Sequence, residues 1–191
     1  MALADFQQLL MDMVSDQEAN IKPDTRDRAI AGSLVRYGSD RPRVLTEDVV
    51  WTASGVFGPA PTNWDEHARL QVAEYPLGHK PAATIFADVY RTDDGWGLES
   101  LHALPAGAVV RVIYSALHVL NDQDDTIPLE HRLPVAQYAA YLLCQQLATR
   151  FSGERETAIG ADVARTESRA KEYRSAYFAG TAQADPYSET G

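Results

Sequence analysis

The chain has 191 residues, 45% hydrophobic and 23% charged, which is enough to bury a real core in one domain or one domain plus an insertion. Seventeen basic against 27 acidic residues give a net charge of -10, which disfavours wrapping DNA but leaves open a passage through which DNA slides without sticking. The single Cys144 rules out an internal disulfide and a zinc cluster, and no stretch approaches the roughly 18 apolar residues of a membrane span.

Residues 3 to 15 place Leu3, Phe6, Leu9, Leu10, Met13 and Val14 on one stripe, which predicts an amphipathic helix. No basic segment followed by a long apolar run precedes it, so no signal peptide is expected and the chain reads as soluble, from a reducing compartment. A polar loop from Ser15 to Pro23 leads to a second helix, Asp24 to Tyr37. Asp24 or Thr25 is its expected N-cap, Ala29, Ile30, Leu34 and Tyr37 its inward face, and Gly38 its left-handed terminator.

The pattern then changes. Val44 to Thr52, Arg69 to Tyr75, Thr84 to Arg91, Trp96 to Leu101 and Ala108 to Tyr114 read as five strands. Residues 55 to 61, with Gly55, Gly58, Pro59 and Pro61, read as a long turn. Thr92-Asp93-Asp94-Gly95 carries the signal of a tight hairpin, and Val109 to Ile113 that of a central strand. Ile127 to Pro134 then opens onto two helical runs, Val135 to about Phe151 and Glu154 to Phe178, punctuated by Ser152-Gly153. Ile159, Val163, Thr166, Ala170, Tyr173 and Tyr177 recur at heptad-like spacing and should pack on Val135, Tyr138, Ala139, Leu142 and Leu143 of the same hairpin.

The expected fold class is therefore α+β. A helical core, built from an N-terminal helix pair (residues 1–40) and a long C-terminal αα-hairpin (residues 128–180), carries an inserted small antiparallel sheet or sandwich, residues 43–115, and a mobile tail, residues 181–191. Tyr173, Tyr177, Phe178 and Tyr187 are the candidate interface residues, because they are apolar and lie near that tail.

Chemistry is harder to find. The acidic run His118 to Asp125 fails as a calcium loop, since position six is Ile127 and position twelve Leu133, and it reads as a solvated loop with Asx turns. His67, His79, His102, His118 and His131 show no metal-ligand spacing, and Ser33 follows Gly32 without a nucleophile elbow. Cys144 reads as a buried small hydrophobe. Trp51, Trp64 and Trp96 are expected in the core of the sheet rather than on a sugar groove. No catalytic residue, metal ligand or cofactor site is expected, and the chain reads as an assembly component before it reads as an enzyme.

The layout resembles the head-tail connector (adaptor, or neck) proteins of tailed bacteriophages. Arg26-Asp27-Arg28-Ala29-Ile30, Val110-Arg111-Val112-Ile113-Tyr114, Ile127-Pro128 to Pro134, Tyr138-Ala139-Ala140-Tyr141-Leu142 and Ala170 to Phe178 carry the resemblance, and the order of elements carries it further than any one string. It implies a structural virion protein at the neck, assembled in the host cytoplasm. It also implies a homo-oligomeric ring, a dodecamer, that binds the portal protein and meets a tail terminator, stopper or tail-tube protein. Contact with DNA in the channel would be passive, with no membrane partner. Compact members of that family are nearly all helical, so the β insertion departs from them. A tail terminator or other neck component is the alternative, and a small hydrolase or carbohydrate-binding module ranks below both.

Overall fold

Helix α1 (Ala2–Met13) turns Phe6 and Leu10 inward, with Val14 buried just beyond its end. The computed structural model describes residues 2–14, 21–93, 95–152 and 159–182. Helix α2 (Pro23–Asp40) runs longer than its hydrophobic period suggested and starts differently. The amides of Thr25 and Arg26 both donate to the Lys22 carbonyl, at 3.0 and 3.1 Å, so Lys22 rather than Asp24 or Thr25 occupies the cap. Pro23 follows at the first helical position, where its missing N–H has no helical acceptor to lose. Gly38 is helical and buried, not a left-handed terminator, and the helix continues to Asp40.

Residues 41–117 and the rest of the chain form two compact units. In the first, strands β1 (Arg43–Val50), β7 (Val109–Ala116), β3 (Arg69–Glu74) and β4 (Thr84–Ile85) make one antiparallel sheet in the order β1-β7-β3-β4. Strands β2 (Gly55–Pro59), β6 (Gly95–Leu104) and β5 (Ala87–Thr92) make a second, in the order β2-β6-β5. The expected five strands are thus seven among the described residues. Residues 55–59, read as a turn for their Gly and Pro, form an edge strand, a position where those residues are tolerated. The expected strand 84–91 divides at Phe86, with β4 in one sheet and β5 in the other. The hairpin around Asp93 stands, with Thr92 opposite Gly95, and β7 is central in its sheet. Asp94 lies outside the described residues.

The core of this unit holds Trp51, Leu98, Val110, Val112 and Tyr114, with Trp64 packed against it and its ring 5.3 Å from Tyr114. Trp51 has no exposed surface, as expected of a core residue. Trp96 is only part-buried and lies under the Arg91 guanidinium at 5.4 Å.

The helical unit is organised by α3 (Leu129–Ser152), against which α1, α2 and α4 (Ile159–Thr181) all pack. The two N-terminal helices meet chiefly through α3, rather than as a self-contained pair. Val135, Ala136, Ala139, Ala140, Leu143 and Cys144 are buried in a cluster with Phe6, Leu10, Ile30 and Tyr37. Val135 and Ala139, with Ala170 and Tyr177 opposite, form the expected hairpin seam. Helix α3 starts six residues before Val135, so Pro134 is internal. Its ring takes up the space beside Gly180, where a Cβ would come within 2.5 Å of Pro134 Cγ, and so lets α4 close onto the start of α3. Thr181, expected to begin the tail, is instead buried at the end of α4 and donates to the Tyr177 carbonyl at 2.8 Å. The remaining tail, 183–191, lies outside the described residues.

No described helix is long and apolar enough to cross a membrane.

Candidate functional site

The geometry of the hairpin α3–α4 follows from how α4 is held. Helix α1 has no basic residue in its last turn to meet its carbonyl ends. Helix α4 supplies them: the Tyr173 hydroxyl and Arg169 Nη2 both donate to the Met13 carbonyl, at 2.6 and 3.0 Å. The guanidinium is also favourably placed at the negative end of that helix dipole. One turn further on, the Tyr177 hydroxyl donates to Asp40 Oδ2 at 2.6 Å, and Arg36 Nε donates to the same oxygen at 2.9 Å. Two tyrosines four residues apart on α4 thus fasten it to the ends of α1 and α2.

The four candidate interface residues therefore part company. Tyr177 is fully buried, with its ring 4.8 Å from Tyr138, so it fastens the unit and offers no surface for docking. Burial, then the hydrogen bond to Asp40, pushes its phenol well above the ordinary tyrosine range. Tyr173 is half-buried and committed to Met13. Phe178 is exposed, with the Arg36 and Arg174 guanidiniums over its ring at 5.4 and 5.8 Å. Tyr187 lies outside the described residues.

Arg174 also approaches the Tyr141 ring, at 6.0 Å, and this joins the Phe178 patch to an open groove of about 850 Å³ between α3 and α4. Gln145, Gln146 and Thr149 line one wall, Glu167, Lys171 and Arg174 the other. The surface thus combines cations, amides and aromatic faces, a composition suited to protein contact. A second, smaller groove of about 380 Å³ lies between α1 and the start of α2, lined by Gln7, Gln8, Met11 and Arg26 among others. The i, i+4 spacing of Arg174 and Phe178 was visible in the sequence. The approach of Arg36 from another helix was not.

The histidines behave unexpectedly. His118 and His131, thirteen residues apart, converge on buried Tyr37: the His118 ring lies 4.7 Å from it, and His131 Nδ1 is 2.5 Å from its hydroxyl. His118 Nδ1 is 2.8 Å from the Thr126 carbonyl, which only accepts, so that nitrogen carries the hydrogen. Between them the acidic run forms the expected Asx turn, Asn121 Oδ1 accepting from the amides of Gln123 and Asp124 at 2.8 and 2.6 Å. Asp125 pairs with Arg132. These contacts pin the segment entering α3. Among the described residues no group of three or more His, Cys, Asp or Glu side chains is placed to hold a metal ion. Ser33 is buried and donates to the Ile30 carbonyl at 2.7 Å, and Cys144 is buried and forms no disulfide.

Tyr177→Phe is expected to destabilise the chain by about 1.5 kcal/mol, since it removes a hydrogen bond to a carboxylate. The pH dependence has a definite sign. With its folded pKa raised, Tyr177 contributes stability that is complete below about pH 10, where unfolded tyrosine begins to ionise. That contribution is lost as pH rises further. Denaturant melts at pH 8 and pH 11 should therefore show a smaller alkaline loss in the Phe variant than in the parent. An equal loss in both would remove Tyr177 from the account.

No protein-family model matches the chain, and no curated protein matches it.

Proposed function

We propose that the chain is a structural head-tail connector that forms a ring beneath the portal of a tailed bacteriophage and extends the DNA channel toward the tail. The observation that carries this reading is the order of elements. Two N-terminal helices pack with a long C-terminal hairpin around α3, and the β unit is inserted between them. A ring of head-to-tail contacts needs two unlike faces on each subunit. The α3–α4 groove with its Phe178 patch, and the polar groove beside α1, supply a pair of that kind. The net charge of -10 suits a wall past which DNA must slide. Catalysis has no part in this reading.

The test is to mix the purified chain with portal rings encoded by the same genome and view the product by negative stain. A new ring layer beneath the portal is the expected result. Binding to tail-tube protein with none to any portal would favour the tail terminator instead. Within a ring that forms, Phe178→Ala with Arg174→Ala is expected to weaken assembly about tenfold or more, an effect in the range of interface anchors. Unchanged assembly by analytical ultracentrifugation would remove that patch from the contact.

A further inference from the structure

The two sheets of the β unit treat opposed charges differently. On the four-stranded sheet Asp48 stands opposite Arg111, whose guanidinium donates to both carboxylate oxygens at 2.8 and 3.0 Å and holds the carboxyl below its ordinary range. On the three-stranded sheet Asp88 stands opposite Glu99. Both are exposed, and neither has a hydrogen bond or ion pair among the described residues. Like charges directly opposite on neighbouring strands destabilise a sheet, so this pair gives the fold nothing.

What surrounds the pair is apolar. Alternation along the strands puts Tyr90 on the same face as Asp88, and Leu101 on the same face as Glu99. The Leu101 amide donates to the Phe86 carbonyl at 3.0 Å, continuing the ladder by one more pair at that end. At the other end Tyr90 lies over Gly97, where a Cβ would come within 2.8 Å of its ring, and meets Phe57 edge-on at 5.5 Å. Phe57, Leu101 and Phe86 are 56%, 66% and 82% exposed. Large apolar side chains gathered on one face mark interaction surfaces more often than scattered ones do.

We propose that this outer sheet face docks a protein segment presenting a lysine or arginine between apolar side chains, with the cation seated at Asp88 and Glu99. Charge complementarity selects this occupant: among the described residues the charges at the centre of the face are the Asp88 and Glu99 carboxylates, and a cation there removes their repulsion. A second copy apposing the same face would bring four carboxylates together on a chain of net charge -10. The surface belongs to the β unit and does not rest on the connector reading.

The test is a titration of the isotope-labelled full chain with acetyl-Leu-Arg-Leu-amide, followed by amide chemical shifts, against the same peptide with Gln or Glu at its centre. Saturable shifts confined to β2, β5 and β6 are expected for the Arg peptide. The Asp88→Asn, Glu99→Gln double variant should bind it about fivefold more weakly, as two exposed ion pairs imply. That variant should melt no lower than the parent, which separates lost binding from lost folding. Equal binding of the Gln peptide, shifts elsewhere, or unchanged affinity in the double variant would overturn the proposal. So would the same shifts produced by cellohexaose or by self-association without peptide.

Discussion

Leu143→Ala is expected to lower the stability of the helical unit by about 3 kcal/mol, the usual scale for truncating a leucine where the site cannot collapse. Leu143 has no exposed surface and lies in the one cluster shared by α1, α2, α3 and α4. Collapse around the missing atoms needs one helix to move inward, and each is tethered. Met13 at the end of α1 is held by Tyr173 and Arg169, and Asp40 at the end of α2 is held by Tyr177. The void therefore persists, and its lining loses both transfer free energy and dispersion contacts. Leu133→Ala, half exposed on the same helix, should stay within about 0.5 kcal/mol. Urea melts give the two free energies, and amide exchange in α3 shows where protection is lost. A Leu143→Ala effect under about 1 kcal/mol would mean that the tethers yield and α3 is not the fixed centre of the unit.

The helices were legible because their apolar positions recur at three and four residues over many turns. Phe6, Leu10 and Val14 are buried as that period requires, and so are Ala29, Ile30 and Tyr37. Their ends were less legible. Gly38 carries the residue type of a terminator, but α2 continues to Asp40, whose side-chain carboxylate accepts from the Tyr177 hydroxyl of a distant helix. Strand β2 was hidden by Gly55, Gly58 and Pro59, which signal turns unless an edge position and a large neighbour make them useful. The break at Phe86 has no turn signal, since Ile85, Phe86 and Ala87 are three apolar residues in a row with no Gly or Pro among them.

The candidate site shows the same division. The heptad-like seam identified which residues of α4 are apolar, and packing decided which of them remain exposed. Tyr177 and Phe178 are adjacent, yet one is fully buried and the other lies under two guanidiniums. The difference is made by Asp40 and Arg36, more than a hundred residues away in sequence. His118 and His131 likewise read as scattered until Tyr37 brings them together. Residues that act through long-range partners leave no spacing to read.

Gly58→Ala is expected to destabilise the β unit by about 2 kcal/mol or more, as overpacking of a closed core does. A Cβ at position 58 would fall 2.4 to 2.5 Å from three atoms of the Trp51 indole. A flexible side chain could swing aside, but Trp51 cannot do so cheaply. It is fully buried, and its Nε1 donates to the Gly55 carbonyl at 3.1 Å. Its amide donates to the Ala108 carbonyl at 2.8 Å, and its carbonyl accepts from Gly107 at 2.7 Å. Relief must therefore come from β2 itself lifting away from β6. That movement would carry Phe57 from its edge contact with Tyr90 and disturb the outer sheet face proposed to dock a cationic segment. The variant should lose exchange protection in β2 and β6 together with peptide affinity. Ala at Gly78, where a Cβ meets nothing within 4 Å but φ is +89°, separates steric overlap from backbone strain. If Gly78→Ala reduces peptide binding as much as Gly58→Ala does, the loss reflects general instability of the unit. If only Gly58→Ala does, the glycine under Trp51 is what keeps that face in place.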